Sequence, residues 1–200
     1  MQSMGLKSRI RVVKYRSYKG DVGKVADNVL QRQFKTDQPN CKWATDVTEF
    51  NVRGEKLYLS PVMDLFNGEI IAFKTQRRPL YSMVKGMLED AISQLNPGEK
   101  PILHSDQGWQ YQMRHYQQQL AQQGLTISMS RKGNCLDNAV IESFFGTLKS
   151  ECFHGHEFAS IEELEQTVKD YIHYYNHERI KVKLKGLSPV EYRKQALLAA

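Results

Sequence analysis

The sequence lacks long hydrophobic runs and has few cysteines. No apolar stretch approaches the roughly 18 uninterrupted residues of a membrane span, and the polar start Met1-Gln2-Ser3 lacks the apolar segment of a secretory signal. The three cysteines, at positions 41, 135 and 152, lack the paired spacing of a zinc site or a disulfide framework. These absences predict a cytoplasmic protein with reduced thiols and no membrane partner.

The excess of positive over negative charge is confined to one end of the chain. The formal net charge is +6, and residues 1–40 carry nine Lys or Arg against three Asp or Glu, whereas residues 41–200 carry nineteen of each. A basic arm beside a neutral body favours a polyanion partner, because neutralised phosphates release counterions. A solvated leader is the alternative interpretation. The candidate phosphate-binding residues of the arm are Lys7, Arg9, Arg11, Lys14 and Arg16.

Hydrophobic periodicity predicts an α/β domain. Strand-like composition covers residues 43–52, 56–64, 69–75, 102–105 and 126–130. Helical spacing covers residues 25–34, 81–95, 111–124 and 161–175, a segment that opens at Asp137 as N-cap, and a last helix from Ser188-Pro189. This order predicts a mixed five-stranded sheet flanked by helices, with a basic arm at 1–40, a core at 41–155 and a helical C-terminal extension at 156–200.

Three acidic residues occupy positions where a carboxylate is unusual. Asp46 interrupts the apolar alternation of the first predicted strand, where an unpaired charge is costly to desolvate. Asp106 directly follows a short apolar strand, and the carboxyl ends of strands are where α/β sheets place ligands. Glu142 lies in the first turns of a helix that carries Lys149 on the same face, two turns later. Three carboxylates of this kind can hold two hard divalent ions, with Asp46 as the bridge between them.

Other candidate ligands have structural explanations. Glu49 is an odd number of residues from Asp46 and should face the other side of the sheet. Asp64 adjoins the Asn67-Gly68 turn and should shape that hairpin. His173 and His177 have helical i, i+4 spacing but lack a third and a fourth ligand at recognised spacing.

The strings around the three acidic residues resemble a known family. Thirty-five residues separate Asp106 from Glu142, the interval of the Asp, Asp-35-Glu signature of retroviral integrases and related insertion-sequence transposases. The flanking sequences are similar to those of the bacterial two-reading-frame insertion-sequence transposases from residue 25 to residue 192. The matching strings are Thr45-Asp46, His104-Ser105-Asp106-Gln107-Gly108, Ser130-Arg131-Lys132-Gly133-Asn134-Cys135, Asp137-Asn138-Ala139, Glu142-Ser143-Phe144-Phe145, Tyr175-Asn176 and Gly186-Leu187-Ser188-Pro189.

The resemblance implies a ribonuclease H-like fold and a metal-dependent DNA transposase. Its three acidic residues carry over to Asp46, Asp106 and Glu142, which would hold Mg²⁺ or Mn²⁺, as two ions. Its chemistry is hydrolysis of a phosphodiester at the element's end, followed by attack of the freed 3′-hydroxyl on another strand. The basic residue of the family carries over to Lys149, which would contact phosphate, and Arg131 and Lys132 are expected to grip DNA as well.

The expected partners are DNA and further copies of the chain. No helix-turn-helix that could read element ends is visible in the sequence, so we expect end recognition to need an upstream segment or a partner chain. Two alternatives stay open at this point. One is a stand-alone ribonuclease H-like nuclease that stops at hydrolysis, and the other is a non-catalytic DNA-binding regulator of transposition.

Overall fold

The computed structural model describes residues 23–198, so the proposed phosphate-binding residues of the arm, from Lys7 to Arg16, lie outside the described part. Six strands form one sheet. They are β1 (Lys42–Thr45), β2 (Thr48–Val52), β3 (Glu55–Asp64), β4 (Ile70–Gln76), β5 (Ile102–Ser105) and β6 (Thr126–Met129). The helices are α1 (Tyr81–Ile92), α2 (Trp109–Gln112), α3 (Arg114–Gln122), α4 (Ala139–Leu148), α5 (Ile161–His177) and α6 (Pro189–Leu198).

The sheet is mixed, as the sequence predicts. β3 pairs with β4 on one side and with β1 and β2 on the other, all antiparallel, whereas β5 joins β1 and β6 joins β5 in parallel. β1 and β2 continue one another along the same side of β3, so the six strands occupy five positions. The predicted five-stranded α/β sheet is therefore confirmed.

The first predicted strand is interrupted at Asp46. The register pairs Thr45 with Val62 and Thr48 with Leu59, which places Asp46 opposite Pro61. A proline has no backbone N–H to donate to the neighbouring strand, and the Pro61 carbonyl accepts a hydrogen bond from the Thr45 hydroxyl at 2.8 Å. Asp46 therefore lies at the carboxyl end of β1 and not, as predicted, in the middle of a longer strand.

Helices cover both faces of the sheet. On one face Trp43 and Leu103 pack with α1 and α3, and on the other Phe50 and Leu59 pack with α4 and α5. α5 begins as the sequence predicts, because the Ser160 hydroxyl accepts a hydrogen bond from the Glu163 backbone N–H at 3.2 Å. No helix among the described residues is long and apolar enough to cross a membrane.

The segment at 25–34 is not the predicted helix. Only Leu30 among its large apolar residues is fully buried, while Val25 and Val29 stay exposed. The backbone is instead tied to the edge of the sheet, where the Leu30 N–H donates to the Ser128 hydroxyl at 3.0 Å and the Met129 N–H to the Asp27 carbonyl at 3.2 Å. Contacts with a strand almost 100 residues away outweigh the local spacing that favours a helix.

The C-terminal extension is joined to the sheet. α5 contributes apolar residues to the same core as β2, β3 and α4. The Asn176 side chain bonds both backbone groups of Ile70, accepting from its N–H at 2.9 Å and donating to its carbonyl at 2.8 Å. α5 therefore holds the beginning of β4 in place, and the boundary at residue 156 stays a prediction.

Candidate active site

Two carboxylates lie at the ends of neighbouring parallel strands. The register of β1 and β5 pairs Ala44 with His104. Asp46 and Asp106 each follow this pair by two residues, so they lie just beyond the ends of the two strands, next to each other. Asp46 Oδ1 accepts a hydrogen bond from the Val47 N–H at 2.7 Å, and Asp106 Oδ1 accepts one from the Gly108 N–H at 2.8 Å. Each carboxylate is half-buried and keeps oxygen lone pairs for a ligand.

The electrostatics of this pair favour a bound cation. Burial raises the pKa of Asp46 well above its usual value, the nearby Asp106 carboxylate raises it further, and Glu142 adds a smaller contribution. Burial also raises the pKa of Asp106. Negative charges held close together in a poorly solvated site repel one another unless a positive ion neutralises them. Carboxylate oxygens are the donors that Mg²⁺ and Mn²⁺ prefer, so the donor set fits such an ion.

Glu142 lies on the helix that covers this end of the sheet. It is exposed in the first turn of α4, which packs on β1 through Ile141 and Phe144. Burial, followed by repulsion from Asp106, raises the pKa of Glu142. Among residues 23–198, no group of three His, Cys, Asp or Glu side chains is gathered closely enough to hold one ion. The structure thus places Asp46 and Asp106 at neighbouring strand ends and Glu142 on α4, without a closed cluster of three ligands among residues 23–198.

Lys149 directly follows the helix that bears Glu142. It opens a π-helical turn, Lys149–Phe153, directly after α4, and its Nζ lies 5.2 Å from the centroid of the Phe50 ring. Burial lowers the pKa of Lys149, whereas the charges of Glu49 and Asp46 raise it. Glu49 itself is exposed and accepts hydrogen bonds from Lys56 and Tyr58, so it belongs to a surface network.

The loop before α4 is arranged differently from the prediction. Asp137 does not cap α4. It lies in a 3₁₀ turn, Cys135–Asn138, and the N-cap residue Asn138 makes no side-chain capping bond. The Asp137 carboxylate instead binds the Arg131 guanidinium, which holds the pKa of Asp137 well below its usual range. Arg131 thus has a partner within the chain, while Lys132 is exposed.

Tyr111 is a site residue that sequence reasoning missed. Its side chain is completely buried, and its hydroxyl has no hydrogen-bond partner among the described residues. Burial, with repulsion from Asp46 and Asp106, raises the pKa of Tyr111 well above its usual value, which places the hydroxyl near the carboxylate pair. The helical spacing of the sequence predicts only that Tyr111 begins a helix. Its proximity to the carboxylates depends on the tertiary fold, so the sequence pattern does not reveal it.

The remaining candidate ligands have contacts of their own. The Asp64 carboxylate accepts hydrogen bonds from the Phe66 and Asn40 backbone N–H groups and pairs with Arg193. It shapes the turn between β3 and β4, as predicted. The His173 and His177 rings lie with their centroids 4.4 Å apart. Glu49 and Asp64 thus each have hydrogen-bond partners other than the triad.

Comparisons with known proteins identify the family of the chain. Two models described as "Integrase core domain" match the chain, one at residues 36–135 and the other at residues 142–197. The chain is 60% identical to "Putative transposase InsK for insertion sequence element IS150" of Escherichia coli (strain K12), over 99% of this chain and 70% of that protein. It is 58% identical to an "Uncharacterized transposase-like protein" of Haemophilus influenzae, over 98% of this chain and 91% of that protein.

A solved structure supports the fold independently. The HTLV-2 integrase catalytic core domain in complex with magnesium superposes with a TM-score of 0.60 at 17% sequence identity, over 78% of this chain and 97% of that chain. A likeness at this identity concerns the fold, and it agrees with the mixed sheet and flanking helices described above. The chain therefore belongs to the integrase core domain family, among its insertion-sequence transposases, and has the ribonuclease H-like fold.

Proposed function

We propose that this chain cleaves a phosphodiester at the end of an insertion sequence and joins the freed 3′-hydroxyl to a second DNA strand. The observation that carries the proposal is the juxtaposition of Asp46 and Asp106 at the ends of β1 and β5, beneath the helix that bears Glu142. Family membership gives polynucleotidyl transfer as the type of reaction. The assignment of its steps to these residues is our inference.

The three acidic residues are the proposed holders of Mg²⁺ or Mn²⁺, as two ions. Such ions activate the attacking oxygen and stabilise the charge on the leaving oxygen. Asp46 and Asp106 follow neighbouring strand ends; burial raises the pKa of both, and the charge of Asp106 raises that of Asp46 further, so a bound cation would favour their ionised forms. Glu142, in the first turn of α4, would complete the set.

Lys149 is the proposed phosphate contact nearest the reacting bond. Two observations support this role: its amine lies over the Phe50 ring, and the charge of Asp46 contributes to its pKa. A cation held by an aromatic ring and a helix end can bind a phosphate oxygen without a large loss of side-chain entropy. Lys132, and the arm residues from Lys7 to Arg16, would contact the DNA backbone further away. Arg131 could do so through the part of its guanidinium that Asp137 leaves free.

The proposed partners are two DNA molecules and at least one further copy of the chain, acting in the cytoplasm. A solved structure of similar fold, with a TM-score of 0.61, is that of the simian T-cell lymphotropic virus intasome, and we propose an assembly on DNA by that likeness. We also propose that an upstream segment or partner chain recognises the element's ends.

The decisive experiment is a joining assay with a pre-cleaved element end and a second DNA. Wild type and Asp106→Asn are compared in Mg²⁺ and in Mn²⁺. We expect metal-dependent joining by wild type and a loss of at least about 100-fold in the variant, because a metal ligand of the reaction is removed. Hydrolysis without joining would indicate the nuclease alternative. Unchanged joining by Asp106→Asn would refute the assignment of this residue.

A further inference from the structure

The most heavily bonded carboxylate outside the triad is Asp137. Its side chain is completely buried, with 0% of its surface exposed. It accepts hydrogen bonds from Asn28 Nδ2 at 2.9 Å, from Arg32 Nε at 2.7 Å, and from Arg131 through the backbone N–H, Nε and Nη2 at 3.0, 2.9 and 3.0 Å. A buried charge with this many donors holds its partners firmly, because leaving any of them unpaired is costly.

The donors come from two distant parts of the chain. Arg131 belongs to the same loop as Asp137, whereas Asn28 and Arg32 lie more than 100 residues earlier. The Arg32 guanidinium also donates from Nη2 to Asn134 Oδ1 at 2.9 Å. Segment 23–40 is itself fixed to β6 through Leu30. The loop 131–138 is therefore fastened, by way of Asp137, to the edge of the sheet.

Asp137 makes its side-chain hydrogen bonds immediately before the helix that carries Glu142. The 3₁₀ turn that contains it leads directly into α4, whose N-cap residue makes no side-chain bond. Glu142 follows Asp137 by five residues, or just over one helical turn. The start of α4 is thus held from the Asp137 side rather than by a cap of its own.

We propose that Asp137 is a positioning residue that fixes the position of Glu142 relative to Asp46 and Asp106. Through Arg32, segment 23–40 contributes to this positioning. The inference rests on the proposed metal-binding role of the three carboxylates. Asp137 touches none of them and acts through the loop and the first turn of α4. A metal site whose third ligand is held in this way has to lose affinity when the loop is released.

Manganese binding in the absence of DNA tests the proposal. The full chain is titrated with Mn²⁺ by calorimetry, and hydrogen exchange is measured over residues 131–142. The variants are Asp137→Asn and Arg32→Gln. The matched control is Asp64→Asn, because Asp64 is likewise completely buried, pairs with an arginine and accepts backbone N–H groups, but supports the turn between β3 and β4.

We expect Asp137→Asn to raise the dissociation constant for Mn²⁺ on the order of tenfold and to accelerate exchange across 131–142. Arg32→Gln should produce a smaller change in the same direction. Asp64→Asn should lower the melting temperature while leaving Mn²⁺ affinity and exchange over 131–142 as in wild type. The Arg32 variant removes a half-exposed partner, so it carries the test if Asp137→Asn does not fold.

Equal Mn²⁺ affinity in wild type and the folded variants would overturn the proposal, and so would an equal loss in Asp64→Asn. Failure of the proposed function has a different signature. In that case wild type itself neither binds Mn²⁺ nor joins DNA. Exchange over 131–142 then still reports whether Asp137 fastens the loop, and unchanged exchange in Asp137→Asn rejects that role as well.

Discussion

Asp46 and Asp106 emerge side by side from β1 and β5, two strands that run parallel and in register from Lys42 and Ile102. The charge on Asp106 raises the pKa of Asp46 beyond the effect of burial. The pair should therefore bind a cation, and without a cation its charges should destabilise the folded protein. Function and stability should respond in opposite directions when one of these charges is removed.

Asp46→Asn should stabilise the metal-free protein. Folding raises the pKa of the Asp46 carboxyl above its value of about 3.9 in the unfolded chain. The protein therefore becomes less stable as the pH rises from about 3.9 through the pKa of the folded state, and this loss of stability persists at neutral pH. Removing the charge should recover about 1 kcal/mol, or about 2–4 °C in melting temperature, in EDTA at pH 7. The advantage should shrink towards pH 4. Wild type, but not the variant, should gain stability on addition of Mn²⁺.

The contrary result is a lower melting temperature for Asp46→Asn in EDTA at pH 7. It would mean that the carboxylate makes favourable contacts that outweigh repulsion by Asp106.

Tyr111→Phe should leave the fold intact. The Tyr111 hydroxyl is buried without a hydrogen-bond partner, while its ring packs edge-on against Tyr116 at 5.4 Å between centroids. Losing an unpaired hydroxyl costs nothing or stabilises, so the free energy of unfolding should stay within about 1 kcal/mol of wild type. Tyr111→Ala should lose about 3–5 kcal/mol, because the ring is removed from the core. Chemical denaturation measures both. A large loss in Tyr111→Phe would reveal a bond that the hydroxyl makes.

Asn176→Ala should be strongly destabilising. Its amide satisfies both backbone groups of Ile70, and their loss leaves buried polar groups unpaired. We expect a decrease of about 2–4 kcal/mol in the free energy of unfolding. Asn138 offers a matched control, since it is also buried but neither amide atom has a partner. Asn138→Ala should cost about 1 kcal/mol or less, and a similar loss in both variants would contradict this explanation.

Lys181 should give a distinctive dependence of stability on pH. Its amine lies 2.6 Å from the Tyr175 hydroxyl, and burial, with repulsion from Arg179, lowers its pKa to about 8. Between pH 8 and the unfolded value of about 10.4, only the unfolded chain keeps the proton, so stability rises with pH. Between pH 7.5 and pH 9.5 the free energy of unfolding of wild type should increase by about 1 kcal/mol relative to that of Lys181→Met, after allowance for solvent screening.

Urea unfolding across this pH range checks the difference. Lys183→Met, at an exposed lysine two residues later, controls for the loss of a positive charge. A constant difference between wild type and Lys181→Met from pH 7.5 to 9.5 would show that Lys181 does not titrate there.

The sequence alone determined the order of the elements, the five-position mixed sheet and the family. These follow from local periodicity and from strings of residues that are contiguous in the chain, such as the one around Asp106. It also pointed to Asp46, Asp106 and Glu142, since each stands out against its immediate neighbours. The roles of these three residues stay predictions.

Only the tertiary structure decided how the site is framed. Pro61 interrupts the strand at Asp46 from the opposite side of a hairpin. Leu30 draws its segment onto β6 in place of a helix, and Asp137 binds Arg32 instead of capping α4. Each of these features is a contact between residues far apart in the chain. Local spacing carries no record of such partners, because their energies arise only when the folded sheet brings the two segments together.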